Sequence, residues 1–223
     1  MLCILGIGIG GFYAILATGI VVGHKGSGLI NLDQGALAMY PAYTFVTMRE
    51  TGDMYFPWFD FFPGPIDIPY KLSLASTGVG ALPSFLAAVF MSIILGIIVQ
   101  MLIFGPLRNK PPISKIIGSL GALIYLTSLA SYQFGSKSRL VDGVLPEGIW
   151  QNPFGLDGGI EYSRLLLALI ALIIGGGLAI YYKRSKMGLR TRAIEDSEIG
   201  GTLLGFSANK IATVNWLIST TIT

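Results

Sequence analysis

Lys183–Gly205 reads KRSKMGLRTRAIEDSEIGGTLLG and separates two apolar runs. The run before it, Tyr162–Tyr182, is long enough to cross a bilayer, and the run after it begins near Ser207. Lys183, Arg184, Lys186, Arg190 and Arg192 crowd its first half; Glu195, Asp196 and Glu198 follow, then Gly200, Gly201 and Gly205. A basic cluster between two spans marks a cytoplasmic loop, because Lys and Arg are retained on that side. That rule accounts for the first half only. In the second half Ala193, Ile194, Ile199, Leu203 and Leu204 can share one helical face, which predicts a short amphipathic helix over Ala193–Gly205 along the membrane surface. Acids early in a helix suit the positive end of its dipole, which places the start near Ala193. Gly200 and Gly201 each cost about 1 kcal/mol of helix propensity relative to alanine, so a packing partner is expected to complete it.

Outward from this stretch, the chain is apolar throughout. Charged residues make up 12% of it, about half the share of a soluble domain, and the apolar residues fall in long runs. This is the composition of a polytopic membrane protein. The net charge of +3 is segregated by loop and indicates orientation, with no call for nucleic acid. Cys3 and His24 are single representatives of their types, which leaves no cysteine or histidine metal cluster and no intramolecular disulfide.

Leu2–Val22 is the first run and begins without a basic n-region or a small-residue cleavage site, so a retained helix is expected rather than a signal peptide. Gly6, Gly8 and Gly11 match the dinucleotide fingerprint as a string, but no strand–turn–helix context surrounds them. Small residues that let helices approach in lipid are the better account. A turn at His24–Gly28 leads to a second run, Asn31–Met48, NLDQGALAMYPAYTFVTM. Asn31, Asp33 and Gln34 stand where a lipid-facing helix should be apolar, so they are expected to face protein or a water-filled path. Gly35 would admit a neighbouring backbone, and Pro41 should kink or break the helix.

Residues 49–82 are rich in aromatics and proline, suit the headgroup zone, and carry no assignable secondary structure. Pro83 opens a third span, Ser84–Phe104, followed by a basic turn, Gly105–Pro112 (GPLRNKPP). Ile113–Phe134 is the fourth span, 135–161 an acidic loop with Asp142, Glu147, Asp157 and Glu161, and Tyr162–Tyr182 the fifth. Gly175–Gly177 in the fifth span is a packing or flexing point. The expected fold is an all-α polytopic membrane protein with about five complete transmembrane helices, the start of a sixth, and a cytoplasmic surface helix. Basic residues follow spans one, three and five, whereas acids dominate after spans two and four. The N-terminus is therefore expected outside, with loops 23–30, 105–115 and 183–206 cytoplasmic. No catalytic or nucleotide-hydrolysing motif is present, which argues against a membrane enzyme.

Two stretches together resemble the permease subunits of branched-chain amino-acid-type ABC importers. In Gly19–Tyr43, Asn31, Gln34, Gly35, Ala42 and Tyr43 match the family's N-terminal pattern; Leu32 replaces an aromatic, Asp33 a small residue and Pro41 a glycine. In Tyr182–Gly205, Met187, Gly188, Arg190, Arg192, Ala193, Leu203, Leu204 and Gly205 fall at the spacing of the family's cytoplasmic coupling loop. Asp196 takes a position usually held by an acid or amide; Gly200 and Gly201 stand in for alanines, and Glu195 for a small residue. Gly105–Arg108 is similar to the family's basic, proline-containing turn.

The resemblance implies a multi-pass protein of a bacterial-type plasma (inner) membrane, without cofactor or metal, that moves branched-chain amino acids or related small polar solutes. Implied partners are a second permease subunit, two ATP-binding cassette ATPases that hydrolyse the ATP, and an extracytoplasmic solute-binding protein. It assigns ATPase coupling to Gly188, Arg190, Arg192, Ala193, Asp196, Leu203, Leu204 and Gly205, and the substrate pathway to Asn31, Asp33, Gln34, Gly35 and Tyr43. Family members continue for further helices, so 1–223 is expected to be one incomplete permease domain with its coupling loop at 183–205. A self-contained channel or secondary transporter, the alternative, would need ionisable groups within its spans and no docking loop.

Overall fold

The computed structural model describes residues 2–28, 31–58, 71–108, 110–135, 144, 146, 148–150 and 160–223. Asp142, Glu147, Asp157, Lys137 and Arg139, on which part of the loop-charge reading rests, lie outside the described residues, as does most of the aromatic segment, 59–70. The described chain is mostly helical: α1 (Leu2–Ser27), α2 (Gln34–Glu50), α3 (Ala81–Val99), a π-helical turn (Gln100–Phe104), α4 (Gly105–Leu107), α5 (Pro112–Phe134), α6 (Tyr162–Arg184), α7 (Lys186–Asp196), α8 (Glu198–Leu203) and α9 (Ala208–Ile222). Three continuous helices, Ala81–Leu107, Pro112–Phe134 and Tyr162–Arg184, are long and apolar enough to cross a membrane.

Several boundaries move for local reasons. The turn expected at His24 is helical through Ser27, and Gly28, at φ +67°, supplies the left-handed residue after it. The first three residues of the turn expected over Gly105–Pro112 are also helical, and the chain turns at Arg108–Pro111 among the described residues. Proline lacks the N–H an α-helix requires, and the π-turn widens the backbone just ahead of Pro106, with Gly105 N–H bonded back to Gln100. Pro41 lies inside α2, which continues to Glu50. The segment expected to lack secondary structure pairs β1 (Asp53–Tyr55) with β2 (Lys71–Ser73) in antiparallel register, and β3 (Ile149–Trp150) pairs with β4 (Ile160–Glu161).

The long helices stand in the spatial order α6, α1, α9, α3, α2, α5, each packed on the next. Small residues set these contacts. A Cβ on Gly8 would lie 2.8 Å from Arg164 Cγ, and one on Gly11 would lie 3.0 Å from Ala168 Cα. The glycines of the first run thus form a helix-packing strip, although Gly6 meets nothing. Further along, Thr18 faces Gly175 and the Lys25 ammonium lies 5.7 Å from the Tyr182 ring centroid. So α1 and α6 run parallel, and their basic C-termini finish at the same end. Arg108 donates to Asn209 Oδ1 (3.3 Å) at the start of α9, which brings the basic end of α3–α4 to that end too.

The apolar core joins α2, α3, α5 and α9 through Leu37, Tyr40, Met91, Leu95, Leu126, Leu129 and Trp216. Phe104, on the π-turn, packs on Trp216 with ring centroids 4.3 Å apart. Helix α6 stands at the edge of the array, with Leu172 and Ile173 exposed. Gly176 and Gly177 meet no neighbour, so the expected packing point is unoccupied within the described chain.

Candidate functional site

The stretch 183–205 folds as two helices, which corrects the single helix expected from Ala193. Serines set both starts. Ser185 accepts a hydrogen bond from Gly188 N–H (2.9 Å) and opens α7; Ser197 accepts one from Gly200 N–H (3.1 Å) and opens α8. The dipole argument therefore fails for Glu195 and Asp196: they occupy the last turn of α7, while Lys186 occupies the first, so both signs oppose the macrodipole. Something else holds α7.

That role falls to contacts with the spans. A side chain at Gly188 would run into the Tyr182 backbone, so only glycine lets α7 fold against the end of α6. Arg192 Nη2 donates to the Tyr182 carbonyl (2.7 Å) and the Lys183 carbonyl (3.3 Å), which occupies two of the acceptors a helix C-terminus leaves open. Tyr182 OH donates to Asn215 Oδ1 (2.7 Å), Asn215 Nδ2 to Thr191 Oγ1 (3.1 Å), and Thr191 Oγ1 to the Met187 carbonyl (2.9 Å). This buried chain of hydrogen bonds ties α6, α9 and α7 into one joint. Ile194 adds an apolar contact with Ala208 and Ile211 of α9, flanked by Met187 and Phe206.

The outer side of the corner is different. Gly201 packs under Ile194, where a Cβ would come within 2.7 Å of Ile194 Cγ1. Gly205, at φ +82°, ends α8 in a Schellman arrangement: Phe206 N–H bonds to Gly201 O (3.1 Å) and Gly205 N–H to Thr202 O (2.9 Å). Leu203 and Leu204 are 84% and 69% exposed, so they do not share the inward face with Ile194. Arg190 stacks over Phe206, its guanidinium carbon 5.4 Å from the ring centroid, and Ala193 is half-buried. The side chain of Ile199 lies outside the described residues.

Asn31, Asp33 and Gln34 come together in a buried knot where the start of α2 meets α1 and α9. Asn31 Nδ2 donates to Gln34 Oε1 (2.8 Å); Gln34 Nε2 donates to Thr223 Oγ1 (2.5 Å) and to the Ser219 carbonyl (3.3 Å). Ser219 Oγ donates to the Gly19 carbonyl (2.6 Å), and a Cβ on Gly23 would meet that same hydroxyl at 3.1 Å. Asp33 occupies the N-cap of α2 without accepting a capping bond, and both of its carboxylate oxygens are buried without a partner among the described residues. Gly35 is exposed with nothing near it, so the expected backbone approach is absent in the described chain. Tyr43, about 13 Å further along α2, stacks on Phe134 instead (centroids 4.8 Å). The knot unites three of the five residues and leaves these two apart.

Sequence reasoning passed over Tyr182, Ser185, Thr191, Ser197, Asn215 and Ser219. The serines carried a signal, since Ser just ahead of a helical stretch is an N-cap pattern. Asn215 and Ser219, one turn apart in an apolar run, were equally legible as inward-facing polar groups.

A helical array in which three helices are long and apolar enough to cross a membrane is the architecture of a polytopic membrane protein. The family described as "Branched-chain amino acid transport system / permease component" matches residues 3–223, and the chain belongs to it. It is 22% identical over 215 residues to the high-affinity branched-chain amino acid transport system permease protein BraD of Pseudomonas aeruginosa, a match covering 96% of this chain and 64% of that one. The permease proteins LivH of Salmonella typhimurium and Escherichia coli are each 22% identical over 216 residues, with the same coverage. The chain thus spans 64% of the length of these relatives. No solved structure matches it significantly.

Proposed function

We propose that this chain acts in a permease subunit of an ATP-driven importer for branched-chain amino acids or related small polar solutes. The observation that carries this reading is the asymmetry of the corner: its inner side is bonded to α6 and α9, while Leu203 and Leu204 face outward and are exposed among the described residues. An exposed leucine pair at the end of α8, carried on a corner that α7 anchors to two spans, is suited to receive a push and pass it on. The pushing partners are two ATP-binding cassette ATPases, with a second permease subunit and an extracytoplasmic solute-binding protein completing the assembly. Residues 1–223 act as one permease domain, with five spans (α1, α2, α3–α4, α5, α6) and α9 entering a sixth. The N-terminus is outside, and loops 23–30, 105–115 and 183–206 are cytoplasmic, in a bacterial-type inner membrane.

Within this reading, Gly188 and Arg192 seat α7 against the spans, Gly205 shapes the end of α8, and Leu203 and Leu204 make the contact. Arg190, Ala193 and Asp196 flank it. The Asn31–Asp33–Gln34 knot borders the pathway, with Gly35 open toward a neighbour and Tyr43 fixed on Phe134 further along α2. The test uses a Cys3→Ser background, so that each introduced cysteine is single. Leu204→Cys should crosslink to an ATPase subunit in membranes and resist an impermeant thiol reagent in intact cells; Ser76→Cys, in the loop before α3, should label from outside. Labelling of Leu204→Cys in intact cells would overturn the orientation, and failure to crosslink to any ATPase would overturn the docking role.

A further inference from the structure

Helices α1 and α6 touch closely at one end and part toward the other. The contact built on Gly8 and Gly11 is tight, whereas a Cβ on Gly175 would meet Thr18 only at 3.9 Å. The wedge that opens holds a cavity of about 560 Å³, within the size range of small-molecule sites. Its walls are apolar and small, Ala17, Val21, Val22, Leu178 and Ala179 among them, and its mouth carries Lys25, Lys183 and Arg192. Among the described residues no carboxylate pairs with these three cations, and none lines the cavity. Lys25 is held over the Tyr182 ring, and Arg192 commits only Nη2 to the carbonyls of Tyr182 and Lys183. Its remaining N–H groups are left for an anion at the mouth.

We infer that this wedge is a binding site for an anionic phospholipid, with the phosphate headgroup at Lys25, Lys183 and Arg192 and an acyl chain in the groove between α1 and α6. The two halves of the site demand the same molecule. A free anion has no use for the apolar walls, and a zwitterionic lipid leaves an excess of three cations at the headgroup. A basic pocket between spans at the positive end is also where an anionic leaflet would present its headgroups. The inference is independent of the transported solute and of the ATPases. Through Tyr182 and Arg192 the lipid would brace the same joint that anchors α7.

The test is native mass spectrometry of the protein purified in mild detergent, delipidated and titrated with phosphatidylglycerol or with phosphatidylcholine of the same chain length. Phosphatidylglycerol should be retained preferentially, and Lys25→Gln and Lys183→Gln should each weaken it about fivefold, the worth of one basic residue beside an anionic headgroup. Ala179→Phe leaves every charge in place and fills the groove; it should weaken binding of the lipid while millimolar glycerol phosphate fails to compete. Equal retention of the two lipids, or displacement by glycerol phosphate, would overturn the proposal. So would a photoreactive acyl chain that labels none of Val21, Val22 or Leu178 in a wild-type protein that still carries the lipid. Unfolding of the lysine variants is checked by their thermal transition, and the acyl-labelling arm uses wild-type protein alone.

Discussion

Two buried polar clusters converge on α9, and they are completed to different degrees. At Tyr182–Asn215–Thr191 each side chain has a partner, and the three belong to α6, α9 and α7. At Asn31–Asp33–Gln34 the amides are satisfied through Ser219, Thr223 and each other, but the Asp33 carboxylate has no partner among the described residues. Ser219 lies one turn beyond Asn215, so both clusters bear on one short helix. A fully bonded cluster behaves as a rigid joint. A buried carboxylate without a partner adds desolvation cost and no bond to the fold, so the two clusters should respond oppositely to loss of their polar groups.

Gly188→Leu should break the joint most severely. The leucine would overlap the Tyr182 backbone, and overpacking of this kind costs about 1–3 kcal/mol, here at the upper end because the obstacle is main chain. The expected result is a lowered thermal transition together with new thiol accessibility of Ile194→Cys, now buried. Asn215→Leu comes next. It leaves the Tyr182 hydroxyl without its acceptor and Thr191 without its donor, at a cost of about 1–3 kcal/mol. Thermal unfolding measures it directly.

Asp33→Leu should differ in sign. No bond of the carboxylate is lost, so stability should hold or rise by about 1 kcal/mol, while solute uptake changes. A loss of stability as large as that of Asn215→Leu would erase the distinction between the clusters. The smallest effect is expected at the opposite end of the bundle. The Ser73 hydroxyl (2.7 Å) and the Lys71 ammonium (2.9 Å) hold the Asp53 carboxyl below the usual carboxylate range. A lowered folded-state pKa contributes stability that is full above the unfolded value and lost as pH falls through the folded one. Proteolysis of the β1–β2 hairpin should therefore stay constant from neutral pH down to the ordinary carboxylate range and rise only below it. Asp53→Asn should abolish that acid-dependent step.

The sequence shows the helical runs clearly because lipid imposes a simple demand: long apolar stretches whose backbone groups pair internally. Phe134 and Tyr162 are observed helix boundaries that fall where the apolar pattern changes. What was missed turns on single atoms. Period and charge could not place α7, because its charges oppose its dipole and its position follows from the missing Cβ of Gly188 and the Ser185 hydroxyl. Asn31 and Gln34 read as polar intruders from sequence, but that they bond to Ser219 and Thr223 depends on helix order, which no local pattern encodes.

The joint between the exposed leucines and the spans is tested most directly by solute-stimulated ATP hydrolysis in vesicles containing the intact assembly with Asn215→Leu. The ATPase subunits should still co-purify, because Leu203 and Leu204 are untouched, and basal hydrolysis should persist while stimulation by solute and uptake fall together. Normal stimulation and uptake in a variant whose joint is shown to be broken would contradict the account.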